Sequence, residues 1–232
     1  CFVFAGLSCF ATTLYDLSGT VLDGNTGENT YLLANNASGA LAYTGGATPS
    51  LKLTLPSSGA FAYIAGNFAS TSLTSIGDSI TLRYSFKVSS TTTFNTGDQS
   101  FRVGLFNSGG SLVSSNNTST ATDTQFNTDT GYSAMYRGST GTNGTGNTFY
   151  QRTASNSGLM STSAYTNTAN TVLDGSTAPT LTSFGITTGK LTGSGSFSIT
   201  LVSTGVVRLS SIVDGGAAQT RDDSTSVVST FD

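Results

Sequence analysis

Ser79-Ile-Thr-Leu-Arg-Tyr-Ser-Phe-Lys-Val-Ser89 alternates without a break. Ile80, Leu82, Tyr84, Phe86 and Val88 fall on one side, and Thr81, Arg83, Ser85 and Lys87 fall on the other. Successive side chains of a strand point to opposite faces, so a period of two reads as a β-strand with one apolar face. Working outward, Gly77-Asp78 turns the chain into this strand, and Ser100–Asn107 repeats its pattern with Phe101, Val103 and Leu105. Ser108-Gly-Gly-Ser111 closes that second strand. Ser50–Leu55 sets Leu51, Leu53 and Leu55 on one face before the turn Pro56-Ser-Ser-Gly59. Ser196–Ser203 does the same with Phe197, Ile199 and Leu201, and Thr204-Gly205 joins it to Val206–Val213 as a tight hairpin. Thr12–Leu22, Thr30–Ala34, Ala40–Tyr43, Phe61–Phe68, Tyr132–Gly138, Thr148–Thr153 and Ser226–Phe231 read as further strands. No stretch sustains the i, i+3, i+4, i+7 pattern of an amphipathic helix. Roughly ten to thirteen short strands with turn signals between them predict an all-β jelly roll or β-sandwich of two antiparallel sheets. Val113–Thr130 and Gly158–Thr177 are poor in apolar residues and read as long loops. No composition shift or repeat divides the chain, so one domain is expected over 12–232.

Composition narrows the chemistry. The chain has no His, no Trp and a single Glu, Glu28, and only 9% of its residues are charged. General acid–base catalysis draws mostly on His, Glu, Asp, Lys, Tyr and Cys, and the polar surface here is built instead from hydroxyls and amides. A net charge of −3 with 14 Phe and 9 Tyr indicates a folded domain, because disordered chains combine low hydrophobicity with high net charge. A pI of 4.7 and scattered Lys and Arg give no basic stripe for nucleic acid.

Cys1-Phe-Val-Phe-Ala-Gly-Leu-Ser-Cys-Phe-Ala11 is continuously apolar or small. It reads as the remnant of a signal peptide, with the first strand as the other reading, since apolarity alone does not separate them. It is too short to span a bilayer, which takes roughly 20 residues. Both cysteines lie in this segment, so the rest of the chain has no disulfide, no CxxC metal site and no thiol nucleophile.

The strands from Gly77 to Phe231 carry a resemblance. Gly77-Asp-Ser-Ile-Thr-Leu-Arg-Tyr-Ser-Phe86, Phe101-Arg-Val-Gly-Leu-Phe-Asn107, Thr130-Gly-Tyr-Ser-Ala-Met-Tyr136, Phe197-Ser-Ile-Thr-Leu201, Val206–Gly215 and Ser229-Thr-Phe-Asp232 occur in that order. The pattern resembles the concanavalin A-like jelly-roll domains of exported bacterial proteins of planctomycete and verrucomicrobial type. Many of those carry a PEP-CTERM sorting tail, which would begin shortly after Asp232. The resemblance implies secretion to the cell surface or extracellular matrix. The same fold hosts laminarinase-type hydrolases, lectins and laminin-G-like modules, so it does not fix an activity.

Enzymatic chemistry demands particular side-chain constellations. A glycosidase needs two carboxylates across the scissile bond, and the laminarinase run ExDxxE does not occur. Asp222 and Asp223 are adjacent, so on a strand they face opposite sides. Without His there is no ordinary triad, and Lys52, Lys87 and Lys190 lie in no SxxK motif. Ca²⁺ is the metal that suits Asp and Asn oxygens, with Asp123, Asn127 and Asp129 as candidate ligands in one polar loop; ordinary Asx turns are the alternative. Arg83, Arg102 and Arg208 alternate with apolar neighbours and so point off the core. With Tyr136 or Tyr150 they are expected to line one solvent-facing groove for a polysaccharide, anionic in character. Cross-strand ion pairs are the alternative reading of these arginines. The sequence thus predicts a non-catalytic exported surface or matrix domain that binds glycan. A polysaccharide lyase or hydrolase and a purely structural subunit are the competing classes.

Overall fold

In a computed structural model of the chain, residues 12–16, 29–34, 40–54, 62–90, 100–116, 124–137, 148–153, 159, 170–172 and 189–232 are described. The segment 1–11, residues 117–123 and most of 158–177 lie outside these residues, as does the later part of the strand expected over Thr12–Leu22. Its first residues, 12–16, form no strand. The described strands are β1 (Thr30–Ala34), β2 (Ala40–Thr44), β3 (Ser50–Thr54), β4 (Ala62–Gly66), β5 (Thr71–Ser72), β6 (Ser79–Ser90) and β7 (Ser100–Asn107), followed by β8 (Thr130–Arg137), β9 (Thr148–Thr153), β10 (Asn170–Val172), β11 (Gly189–Ser203), β12 (Val206–Val213), β13 (Gln219–Asp223) and β14 (Thr230–Phe231). A short 3₁₀ helix, Thr124–Thr128, interrupts them, and no α-helix occurs among the described residues. The protein is all-β and its sheets are antiparallel.

The chain falls into two compact units. The smaller, residues 1–69 with 114–119, holds the ladders β1–β4 and β2–β3. There Tyr31 and Tyr63 are buried, and the Tyr15 hydroxyl shares a 2.7 Å hydrogen bond with Thr30.

The larger unit, residues 70–113 with 120–232, is a sandwich of two four-stranded sheets. The first sheet runs β10-β9-β8-β7 and the second β13-β12-β11-β6. Most neighbours are also neighbours in sequence; the exception is β6, which lies along β11 from Ser79↔Thr200 to Ser90↔Gly189. This order places β6 at the edge of its sheet. The alternation read in the sequence decides which face is buried. Phe197, Ile199, Val207 and Leu209 have no exposed surface on the second sheet, and Val103, Leu105, Tyr132, Ala134 and Phe149 are buried on the first. Phe149 stacks on Phe197 with ring centroids 6.2 Å apart, and Phe86 on Phe101 at 4.7 Å, so the sheets meet face to face. Each fully buried large apolar side chain contributes about 1.5–3 kcal/mol.

Two details shape the edge. A Cβ at Gly195 would stand 2.6 Å from the Tyr84 hydroxyl, and one at Gly193 would stand 2.8 Å from the Phe86 ring. The glycines of β11 are therefore the floor on which the aromatic residues of β6 lie. The hairpin at Thr204-Gly205 forms as expected, with Gly205 at φ 72° and a bulge between Leu201 and Ser203.

Candidate functional site

The polar side chains with the most chemical potential sit inside the sandwich. Asp223, 3% exposed, accepts hydrogen bonds from the Tyr132 hydroxyl at 2.7 Å, the Gln151 side-chain amide at 2.9 Å and the Thr225 N–H at 2.9 Å. Gln151 also donates to the carbonyls of Thr225 and Ser226, and the Val228 N–H donates to the Tyr132 hydroxyl. Ser226 holds φ 51°, an uncommon conformation for a residue with a Cβ. A second link joins the sheets where the Tyr84 hydroxyl donates to Tyr136 at 2.9 Å and Tyr136 pairs with Ser211 at 2.6 Å. Burial pushes the phenols of Tyr84, Tyr132 and Tyr136 above their ordinary range. They stay protonated as donors, which suits them to lash two sheets together and not to remove a proton from a substrate.

The buried, sheet-linking role of these groups escaped the sequence reading. Asp222 and Asp223 were expected to face opposite sides if they lay on a strand, and on β13 they do: Asp222 is exposed and Asp223 buried. The signal for the cluster was Gln151, a polar residue two positions from Phe149 on an apolar face. Such a side chain demands a partner.

The expected groove is not assembled. Arg83 (β6) and Arg208 (β12) lie on the outer face of the second sheet, but Arg102 (β7) belongs to the first sheet and is half-buried. Arg208 is committed to Asp222 by a two-pronged contact of 2.7 and 2.8 Å, which holds the Asp222 carboxyl below its usual range. Tyr136 and Tyr150 are only 1% and 6% exposed, so neither offers a ring to solvent. The reason is that the first sheet is covered on both faces. Next to Tyr150 on that covered outer face, Arg152 is 1% exposed and donates to the backbone carbonyls of Asp129 and Phe126 at the end of the 3₁₀ helix.

For the calcium candidates, Asp123 lies outside the described residues, Asn127 is exposed and Asp129 is 5% exposed. The Asp129 carboxyl is pushed up to about 7, first by burial and then by the Asp232 carboxylate, with Arg152 pulling the other way. Its Oδ1 has no hydrogen-bond partner. Ca²⁺ takes six to eight oxygens. No group of three acidic, His or Cys side chains that could hold a metal forms among the described residues.

Among the described residues, the outer face of the second sheet is exposed. In register, Thr81 faces Ser198, Ser198 faces Ser210 and Ser210 faces Thr220, a row of hydroxyls across all four strands. The next row is Ser79, Thr200, Arg208 and Asp222; on the other side Arg83 faces Ser196 and Ser85 faces Ser194. All of these are exposed or half-exposed. A shallow hollow of about 310 Å³ at the hairpin end is lined by Leu73, Ile76, Leu201 and Val227 and carries no charged side chain. No protein-family model, curated protein or solved structure matches the chain.

Proposed function

We propose that this chain is a non-catalytic, exported domain of the cell surface or extracellular matrix that binds glycan on the outer face of its second sheet. The observation that carries this is the division of polar chemistry. Asp223, Tyr132, Gln151 and Arg152 are buried and hold the sandwich together, while the exposed face presents rows of Ser and Thr. A hydroxyl array exchanges hydrogen bonds with sugar hydroxyls at little desolvation cost, because both sides are neutral. Export with PEP-CTERM-type sorting rests on the sequence resemblance to concanavalin A-like domains. The test is a glycan array with and without Ca²⁺, read beside a reducing-end assay. Binding without release of reducing ends is expected. Release of reducing ends would move the protein to the polysaccharide-active enzymes, and silence across the array would leave a purely structural subunit.

A further inference from the structure

Resting on the glycan-binding reading, we infer that the ligand is an anionic polysaccharide, gripped by Arg83 and Lys87 along the β6–β11 ribbon. Both side chains are exposed, and the alternation of β6 puts them on the same outer face. They are four residues apart, about 13 Å along a strand. Between and beside them the ribbon is hydroxyl: Arg83 faces Ser196, Ser85 faces Ser194 and Lys87 faces Thr192.

The arginines of the chain are not equivalent. Arg208, on the same sheet face, is neutralised by Asp222. Arg152 is buried against backbone carbonyls. Arg83 and Lys87 take part in no ion pair among the described residues. Asp214, at the end of β12, accepts from the Ser194 N–H and leans toward Gly193 and Tyr84, on the face opposite Arg83. Two cations on a neutral hydroxyl strip leave a local positive field on a chain whose net charge is −3. Carboxylate or sulfate groups carried on a hydroxyl-rich chain complement both parts of that strip: charge to the cations, hydroxyls to the Ser and Thr rows. Net repulsion from the rest of the molecule disfavours indiscriminate polyanion binding, so attraction rests on the cations of this ribbon, where Lys190 of β11 also stands in register opposite Ser89.

The experiment is a titration of the whole chain with dextran sulfate, alginate and unmodified dextran, at about 0.15 M and about 1 M NaCl, which shortens the screening length from ~8 to ~3 Å. The variants are Arg83→Gln with Lys87→Gln, and Lys52→Gln, on β3 of the smaller unit, as a control that also removes a cation. All are exposed positions, and unchanged melting midpoints verify folding. The expected result is tighter binding of the two anionic polymers than of dextran, weakened by salt. The double variant loses roughly tenfold in affinity, and Lys52→Gln does not. Equal binding of dextran, or an equal loss in Lys52→Gln, overturns the inference. If an array shows that only neutral glycans bind, the inference fails and the glycan-binding reading stands; if no glycan binds, both fall.

Discussion

At the scale of single residues, the informative groups are the buried ones. Asp129 has its carboxyl raised to about 7 by burial, so the folded state holds a proton that the unfolded state releases from about pH 4 upward. Between these values the folded state binds more protons, and stability falls as pH rises, by at most about 1.4 kcal/mol per unit from this group. Asp129→Asn removes the penalty. Urea unfolding from pH 4.5 to 8 should show the variant gaining on the wild type with each step toward pH 7 and levelling above it. A pH-independent difference would show that Asp129 is ionised in the fold. Tyr132 supplies one of three donors to Asp223. Tyr132→Phe leaves a buried carboxylate short of a donor and costs about 1–3 kcal/mol; a loss below about 0.5 kcal/mol would mean that water takes the hydroxyl's place.

At the scale of elements, several strands with alternating apolar residues were legible to within a residue. Ser100–Asn107 and Val206–Val213 have the predicted bounds, and β6 runs one residue further than read. What was illegible has a common physical cause. β13 is Gln-Thr-Arg-Asp-Asp, β5 is Thr-Ser, and the first half of β11 is rich in Gly, Ser and Thr. Strands held by backbone pairing to a neighbour need no apolar face of their own, so no alternation marks them. The groove of arginines failed for a related reason. Alternation tells which side of its own strand Arg102 occupies, but sheet membership depends on pairings between distant segments, and β7 joined a different sheet from β6 and β12. The stacked pair Phe86–Phe101 joins the two sheets. Phe101→Ala should cost about 3 kcal/mol, below the largest values for buried Phe because the ring is half-exposed. Gly195→Ala should cost about 1–3 kcal/mol, since the Ile212 carbonyl stands 2.7 Å from the new methyl carbon and backbone yields poorly. Chemical denaturation measures both, and a neutral Gly195→Ala would place the Tyr84 ring elsewhere.

At the scale of the whole molecule, the larger unit contains its own core and both inter-sheet hydrogen-bond links. A chain of residues 70–232 should therefore unfold in one cooperative step with dispersed amide signals; a broad, non-cooperative transition would mean that this sandwich cannot stand by itself. The pairing of β6 with β11 also sets a timetable. Ser90 and its partner Gly189 are separated by most of the larger unit's length, and the other partners by more. Ribosomes add about 5–20 residues per second, so β6 emerges and waits for roughly 5–20 s before its partner exists. During that interval Ile80, Leu82, Tyr84 and Phe86 form a naked sticky ribbon. Arg83 and Lys87 interrupt it at regular intervals, and two nascent β6 segments meeting antiparallel about Ser85 would bring Arg83 of one against Lys87 of the other. The cations at the rim of the finished sheet are thus also chaperones of its youth: they keep the earliest strand of the sandwich from choosing a stranger before its own partner has been made.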